Sequence, residues 1–429
     1  MNRNHIRRFW ADDRANIAVI FALTLVPIVF LVGMGIDYTN AADRQVQLNA
    51  AADAAALAGV TPAMMALPAS AAVTAATNTF TAQANRVTGA SYSPTGVTVT
   101  VSIVNSKRQV LLTYAASSQN AFPNILGQQT IAINGSSQAT AGFAPNINFY
   151  LLLDSSPSMA IAANQADINK MVANTGSQGG CAFGCHQTNA AVDNLGNPGG
   201  VDNYQLARNL GVTLRIDLVR QAAIDLMASA TSAMTVNGAV YQMATYTFDV
   251  NLNTIGTLTS NLSFASTQAG TVTSLQVYSN NFLTSGNNNN DEDTNYDSAM
   301  TGANAVMPQP GLGTKAANDT PQEVLFFVTD GVEDEKVGGN RQQSIMDPAQ
   351  CTTIKNRGIR IAVLYTTYLP LPTNAWYNSY IKPIQNNIAP ALQTCASPGL
   401  FYQVQTGGDI SAALIGLFQL VVQTAYLSK

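Results

Sequence analysis

The sequence predicts an α/β protein tethered to a membrane: an amino-terminal transmembrane helix, a small α+β module, then a doubly wound, mostly parallel sheet. Three observations predict it. Ile17 to Ile36 carries no charged residue. Four apolar runs, starting near Asn148, Glu323, Gly358 and Leu400, alternate with helix-patterned segments, the arrangement of a parallel sheet covered on both faces. Two of those runs end on a carboxylate, Asp154 and Asp330.

A chain of 429 residues has room for two or three domains. Charged residues make up 10% of it, against roughly 25% in an average soluble domain. The surface is therefore carried by Asn, Gln, Ser, Thr and Ala. A net charge of −4 gives no basic footprint, which excludes a nucleic-acid partner.

Residues 1–16 place Arg3, Arg7, Arg8 and Arg14 against Asp12 and Asp13, and residues 17–36 are long enough to span a bilayer. The arginines precede the span while Asp37 and Asp43 follow it, so the amino terminus is expected in the cytoplasm and the rest outside. A cleaved signal peptide would have an apolar core of about 7 to 15 residues and a small-residue cleavage site. Neither fits, and a retained anchor is expected. Residues 37–60 extend the helix, since Arg44 to Ala58 lacks Gly and Pro, and Gly59 and Pro62 end it. Ala51, Ala55 and Ala58 recur at helical spacing, which suits packing on the helix's own domain or on another helix. Residues 61–144 read as a helix over Ala69 to Arg86 and strands over Val97 to Val104, Arg108 to Tyr114 and Thr130 to Thr140. No chemistry is visible in this module, which points to spacing or subunit contact.

Residues 145–429 form the large domain. The strand ending at Asp154 is followed by Ser156 and Ser158, and then by a detour of about fifty residues rich in Asn and Gly. A helix over Leu214 to Ser232, a strand over Ala239 to Phe248, an irregular stretch over Asn280 to Asp293 and a helix entered at Thr294 come next. Strands ending at Asp330, Tyr365 and Val404 and a closing helix over Asp409 to Ser428 complete the domain.

In an open α/β sheet, ligands bind outside the carboxyl ends of the strands, at the point where strand order reverses. Asp154, Ser156, Ser158, Thr294 and Asp330 can meet there, and oxygen-only ligands favour a hard divalent cation, Mg²⁺ ahead of Mn²⁺ or Ca²⁺. Each piece alone has a plainer explanation: D-x-S-x-S is a common cap, Thr294 a plausible helix cap, and Asp330-Gly331 a strand-end turn. Their joint placement is what points to metal. The acidic runs Asp291 to Asp293 and Glu333 to Glu335 are expected to be solvated, ahead of a second cation site or a surface steering a basic partner.

Four cysteines, an even number, suit an oxidising compartment. Cys351–Cys395 and Cys181–Cys185 are the expected disulfides. A zinc site from Cys181, Cys185 and His186 lacks a fourth ligand. Of the two histidines, His5 lies in the expected cytoplasmic tail and His186 in the cysteine loop, and neither G-x-S-x-G nor H-E-x-x-H occurs. A Ser158 nucleophile would have no base, so neither an enzyme nor a small-molecule substrate is expected.

Two stretches resemble known families. R-A-N-I-A-V-I-F-A-L from Arg14, G-I-D-Y from Gly35 and Q-L-N-A-A-A-D-A-A-A-L-A-G from Gln47 to Gly59 resemble the amino-terminal segment of TadE/TadG-type Flp/Tad pilus-assembly proteins. Prepilins differ in having an early Glu, whereas the first Glu here is Glu292. Asp154-Ser155-Ser156-Pro157-Ser158, with Thr294 and Asp330, resembles the metal-ion-dependent adhesion site of von Willebrand factor A domains, over residues 145–429. The resemblance implies a single-pass protein of the bacterial inner membrane with a periplasmic A-type domain. Its function would be pilus assembly, anchoring or adhesion, with a bound cation offering a coordination position to a partner's carboxylate. The alternative is a structural envelope protein whose A-type domain has no working metal site.

Overall fold

The computed structural model describes residues 15–104, 107–123, 127–176, 179–184, 202–275, 293–314, 317–368, 370–372, 374–405, 407–422 and 425–426. The chain divides into two compact units, Met1–Phe143 with Thr424–Lys429, and Ala144–Gln423.

In the first unit α1 (Ala15–Ala58) is one unbroken helix. Its apolar half is exposed from Ile17 to Val32, and it is the one helix among the described residues long and apolar enough to cross a membrane. Its second half is different. Ala41, Leu48, Ala51, Ala52 and Ala55 are buried against Phe80 and Ala84 of α3 (Ala69–Ala84) and against Leu112, Tyr114 and Ile133 of the sheet. Ala51 and Ala55 therefore face the helix's own unit, where small side chains let the backbone sit close. Asp37, at the junction of the two halves, is buried and accepts from the Ala121 N–H at 2.6 Å. The helix stops before Gly59, and Pro62 opens the short α2 (Pro62–Met65), since proline loses nothing at a first helical position.

Three antiparallel strands follow: β1 (Ala90–Val104), β2 (Lys107–Gln119) and β3 (Thr130–Gly142). All three run longer than the alternating stretches that announced them. The outer edge of β3 is paired by Ala425–Tyr426, antiparallel to Ala141 and Thr140. This corrects the closing helix expected to Ser428, which ends at Val422, and it carries the last strand out of the unit expected to run from 145 to 429. An unpaired strand edge offers a row of backbone donors and acceptors, and this segment takes them up.

The second unit is built on β4 (Ile147–Asp154), β5 (Tyr241–Phe248), β6 (Leu252–Thr259), β7 (Gln322–Thr329), β10 (Arg360–Thr366) and β11 (Phe401–Val404), in the order β11-β10-β7-β4-β5-β6. All neighbours are parallel except β5 and β6. Every residue of β4 is buried, as its continuous apolar run requires of a central strand covered on both sides. The aromatic residues show the two layers. Phe326 meets Phe149, which meets Phe418 of α11 (Ile410–Val422), at 5.7 and 5.4 Å. The adjacent Phe327 faces the other way and meets Tyr296 of α8 (Tyr296–Val306) at 5.8 Å. The crossover helix α6 (Arg215–Asn237) lies in the α11 layer, and α9 (Ala349–Asn356) and α10 (Gln385–Cys395) lie in the α8 layer.

Besides α2, α9 and α10, the helices α4 (Gln165–Asn174), α5 (Asn203–Asn209) and α7 (Leu262–Ala269), the strand β6, and a hairpin of β8 (Val332–Val337) and β9 (Asn340–Ile345) were not among the expected elements. The hairpin turns on Gly338-Gly339, both at positive φ, the conformation that tight hairpins require.

Cys351 of α9 and Cys395 at the end of α10 form the expected disulfide, both fully buried and 44 residues apart. Replacing both by serine should lower stability by about 4 kcal/mol, read from the midpoint of urea unfolding in non-reducing buffer. Glu323 opens β7 inside the sheet and accepts from Asn148 Nδ2 at 2.9 Å. Burial outweighs this bond and carries its carboxyl up to about 7. The neutral form is thus favoured in the fold. Its contribution is complete below the unfolded value of 4.5 and is lost as pH rises through about 7. Glu323→Gln should therefore lose less stability than wild type as pH rises from 4.5 to about 7, measured by the same unfolding midpoints.

Candidate metal centre

The chain leaves β4 for β5 on one side and later returns to β7 on the other, so the strand order reverses between β4 and β7. Asp154 is the last residue of β4, and Asp330 directly follows β7. Both are fully buried.

The turn after β4 draws three oxygens together. Ser155 Oγ donates to the Phe248 carbonyl at 2.9 Å, which fixes the turn to β5. Ser156 donates to Asp154 Oδ1 through both its N–H, at 2.9 Å, and its hydroxyl, at 2.6 Å. The Ser156 and Ser158 hydroxyls are 2.8 Å apart. The Ser158 hydroxyl also favours the charged form of the Asp330 carboxyl. Three of the five expected residues, Asp154, Ser156 and Ser158, are therefore linked directly. Mg²⁺ holds its ligands at about 2.0–2.1 Å, which puts neighbouring oxygens of an octahedron about 2.9 Å apart. The Ser156–Ser158 spacing of 2.8 Å fits that edge, and the Asp154–Ser156 spacing of 2.6 Å is somewhat shorter. Among the described residues no group of three or more His, Cys, Asp or Glu is placed to hold a metal, so a cation here would depend on the hydroxyls.

Thr294 is buried and lines the same pocket of about 90 Å³ as Ser158. Its backbone exchanges two bonds of 2.9 Å with Asp334. The cap of α8 is the next residue, Asn295, whose side chain accepts from the Ser298 N–H at 2.7 Å, so Thr294 is not the helix cap.

Two residues around the site, Thr329 and Arg215, were not singled out from sequence, while Gly331 was read as part of a strand-end turn. Thr329 Oγ1 donates to Asp154 Oδ2 at 2.7 Å. With its one proton so used, it accepts from the Tyr296 hydroxyl at 2.7 Å and from the Gly331 N–H at 2.9 Å. Arg215, the first residue of α6, donates from Nη1 to Asp330 Oδ2 at 3.1 Å, and both side chains are buried. Gly331 sits at φ 81°, and a Cβ there would lie 2.2 Å from Ile388, so only glycine lets the chain turn away after Asp330.

The electrostatics follow from burial. Two carboxylates lie together and one guanidinium faces them. Burial, and then the charge of Asp330, hold the Asp154 carboxyl above the usual range against the hydroxyls of Ser156 and Thr329. Burial also raises Asp330, with Arg215 opposing. A divalent cation would supply the positive charge that this cluster lacks, and the all-oxygen donor set suits Mg²⁺.

The charged run after β7 is not solvated. Glu333 and Asp334 are buried: Glu333 accepts from the Tyr296 N–H at 2.9 Å, and Asp334 pairs with Arg341. Arg341 also pairs with Asp293 at 2.7 Å and lies 4.7 Å over the Trp376 ring. A paired, packed cluster thus replaces the expected solvated face, because β8 folds this run back over the entrance to α8. Asp291, Glu292, Cys185, His186 and His5 lie outside the described residues, and with them the Cys181–Cys185 pairing.

A family model described as putative Flp pilus-assembly TadE/G-like matches residues 15–78. No curated protein sequence matches the chain. Solved structures similar to it include the conserved protein BatB from Bacteroides thetaiotaomicron, at 12% identity over 64% of this chain and 98% of that one, with a TM-score of 0.34. The vWF domain of the type V pili tip protein Mfa5 from Porphyromonas gingivalis matches at 8% identity over 66% and 99%, with a TM-score of 0.37. The pilus adhesin SpaC from Lactobacillus rhamnosus GG matches at 11% identity over 76% and 34%, with a TM-score of 0.36. Residues 15–78 thus resemble a TadE/G-like pilus-assembly segment, and the second unit is an open, mostly parallel α/β sheet whose strand order reverses between β4 and β7.

Proposed function

We propose that this chain is a membrane-anchored protein of Flp/Tad pilus assembly, anchoring or adhesion, whose A-type domain binds a protein partner through a divalent cation. One observation carries the reading: Asp154, Ser156 and Ser158 form a hydrogen-bonded oxygen cluster at the switch point, and with Asp330 they set two buried carboxyls against one guanidinium. In this reading Asp154, Ser156 and Ser158 hold the ion, Asp330 holds it or its waters, and Thr294 completes the set from the pocket wall. Mg²⁺ is the first choice and Mn²⁺ or Ca²⁺ the substitutes. When bound, the ion supplies a coordination position for a carboxylate of the partner. The hydroxyls and the buried turn hold the ligands in place beforehand, which lowers the cost of binding.

The same reading places residues 1–16 in the cytoplasm, 17–36 in the bacterial inner membrane, and the helix extension 37–60, the module 61–144 and the A-type domain in the periplasm. The arginine bias of the tail supports this orientation, and a buried disulfide suits an oxidising compartment. No catalytic role is proposed.

A second reading, a structural envelope protein with no working metal site, draws on Arg215, which already supplies Asp330 with a counter-charge. Calorimetric titration of the detergent-solubilised full chain with Mn²⁺ separates the two. Wild type should take up one ion, and Asp154→Asn should weaken binding by more than about 100-fold. Equal affinity in the two proteins would refute the site, and no uptake by wild type would favour the structural reading.

A further inference from the structure

We infer that Arg215 is a built-in counter-cation to Asp330, which keeps the metal-free domain folded and sets how loosely the site holds a divalent ion. This inference rests on the metal reading above. Arg215 is 3% exposed and held from several sides. Its Nη1 donates to Asp330 at 3.1 Å, its Nη2 donates to the Thr367 carbonyl, and its guanidinium lies 5.4 Å from the Tyr368 ring centre. Its own N–H donates to the Ile161 carbonyl at 3.0 Å, which pins the start of α6 beside the turn that carries Ser156 and Ser158. A side chain fixed in this way does not swing clear when an ion arrives. A guanidinium also keeps its charge at every accessible pH.

Two consequences follow from that permanent charge. Without metal and without Arg215, Asp154 and Asp330 would be two buried carboxyls with no positive partner, and an unpaired buried charge is strongly destabilising. With metal, the guanidinium repels an ion drawn to the same carboxylates, and the low-dielectric interior leaves that repulsion poorly screened. Arg215 therefore exchanges affinity for independence: the domain folds with or without the ion, and the ion binds weakly enough to come and go.

The test is Arg215→Gln, which keeps a donor for Asp330 or Thr367 and removes the charge, alongside Arg215→Lys, which keeps the charge. Mn²⁺ titration and thermal unfolding are run on the detergent-solubilised full chain. Arg215→Gln should bind Mn²⁺ at least about tenfold more tightly than wild type. It should melt lower than wild type in chelator and recover when Mn²⁺ is added, while Arg215→Lys stays within about twofold of wild-type affinity. Refolding of Arg215→Gln only in the presence of Mn²⁺ would support the inference in the same way. Unchanged Mn²⁺ affinity in Arg215→Gln, with binding still lost in Asp154→Asn, would overturn the role of Arg215 and leave the metal site standing. Failure of Arg215→Gln to fold with or without Mn²⁺ would also overturn it, since the two cations would then not substitute for each other. Absence of Mn²⁺ binding in every protein would remove the metal reading and this inference together.

Discussion

Two carboxylates buried side by side, Asp154 and Asp330, are the constraint on which the second unit depends. Neither is tolerable alone in a fully covered sheet, because a charge taken from water must be paired or hydrogen-bonded. The surroundings answer that requirement one by one. Ser156 satisfies Asp154 Oδ1, Thr329 satisfies Oδ2, and Tyr296 backs Thr329 from the opposite layer. Arg215 meets Asp330 from the crossover helix. Elements far apart in sequence are thus held at one edge of the sheet by polar contacts, while the aromatic layers on either side of β4 and β7 exclude water from them.

The first unit solves a different problem with a single helix. An apolar half suits lipid, where the backbone must satisfy itself and side chains need no polar partner. An alanine-faced half packs closely on α3 and the antiparallel sheet. Arg44 marks the packed half, donating to the Thr88 and Gln119 carbonyls and to Ser118. Because no break separates the halves, the packed half fixes the helix from which the apolar half continues.

The parts of the fold that were legible were those with an unambiguous pattern. The uncharged run from Ile17, the apolar strands ending at Asp154 and near Asp330, and the cysteines at 351 and 395 each state their environment in the residues themselves. The closing helix was legible only in part: its apolar stripe is real, but the pairing of Ala425–Tyr426 with β3 depends on an edge nearly three hundred positions away. Glu333 and Asp334 looked solvated because acidic runs usually are, and their burial is set by Arg341 and by the backbone of α8. Arg215 was hidden for the same reason. At the start of R-I-D-L-V-R it reads as an ordinary helical residue, and its partner lies 115 residues on. Thr329, inside an apolar strand, gave no sign that it bonds Asp154. Charge compensation between distant segments is the property that a local pattern does not encode.

The central claim is that the oxygens at the switch point hold a divalent cation, and the position of a bound ion tests it most directly. Crystals of the full chain soaked in Mn²⁺ should give an anomalous scattering peak within about 2.2 Å of oxygens from Asp154, Ser156 and Ser158, with Asp330 or its waters completing the shell. A peak elsewhere, or none at saturating Mn²⁺ with the cluster well ordered, would contradict the account.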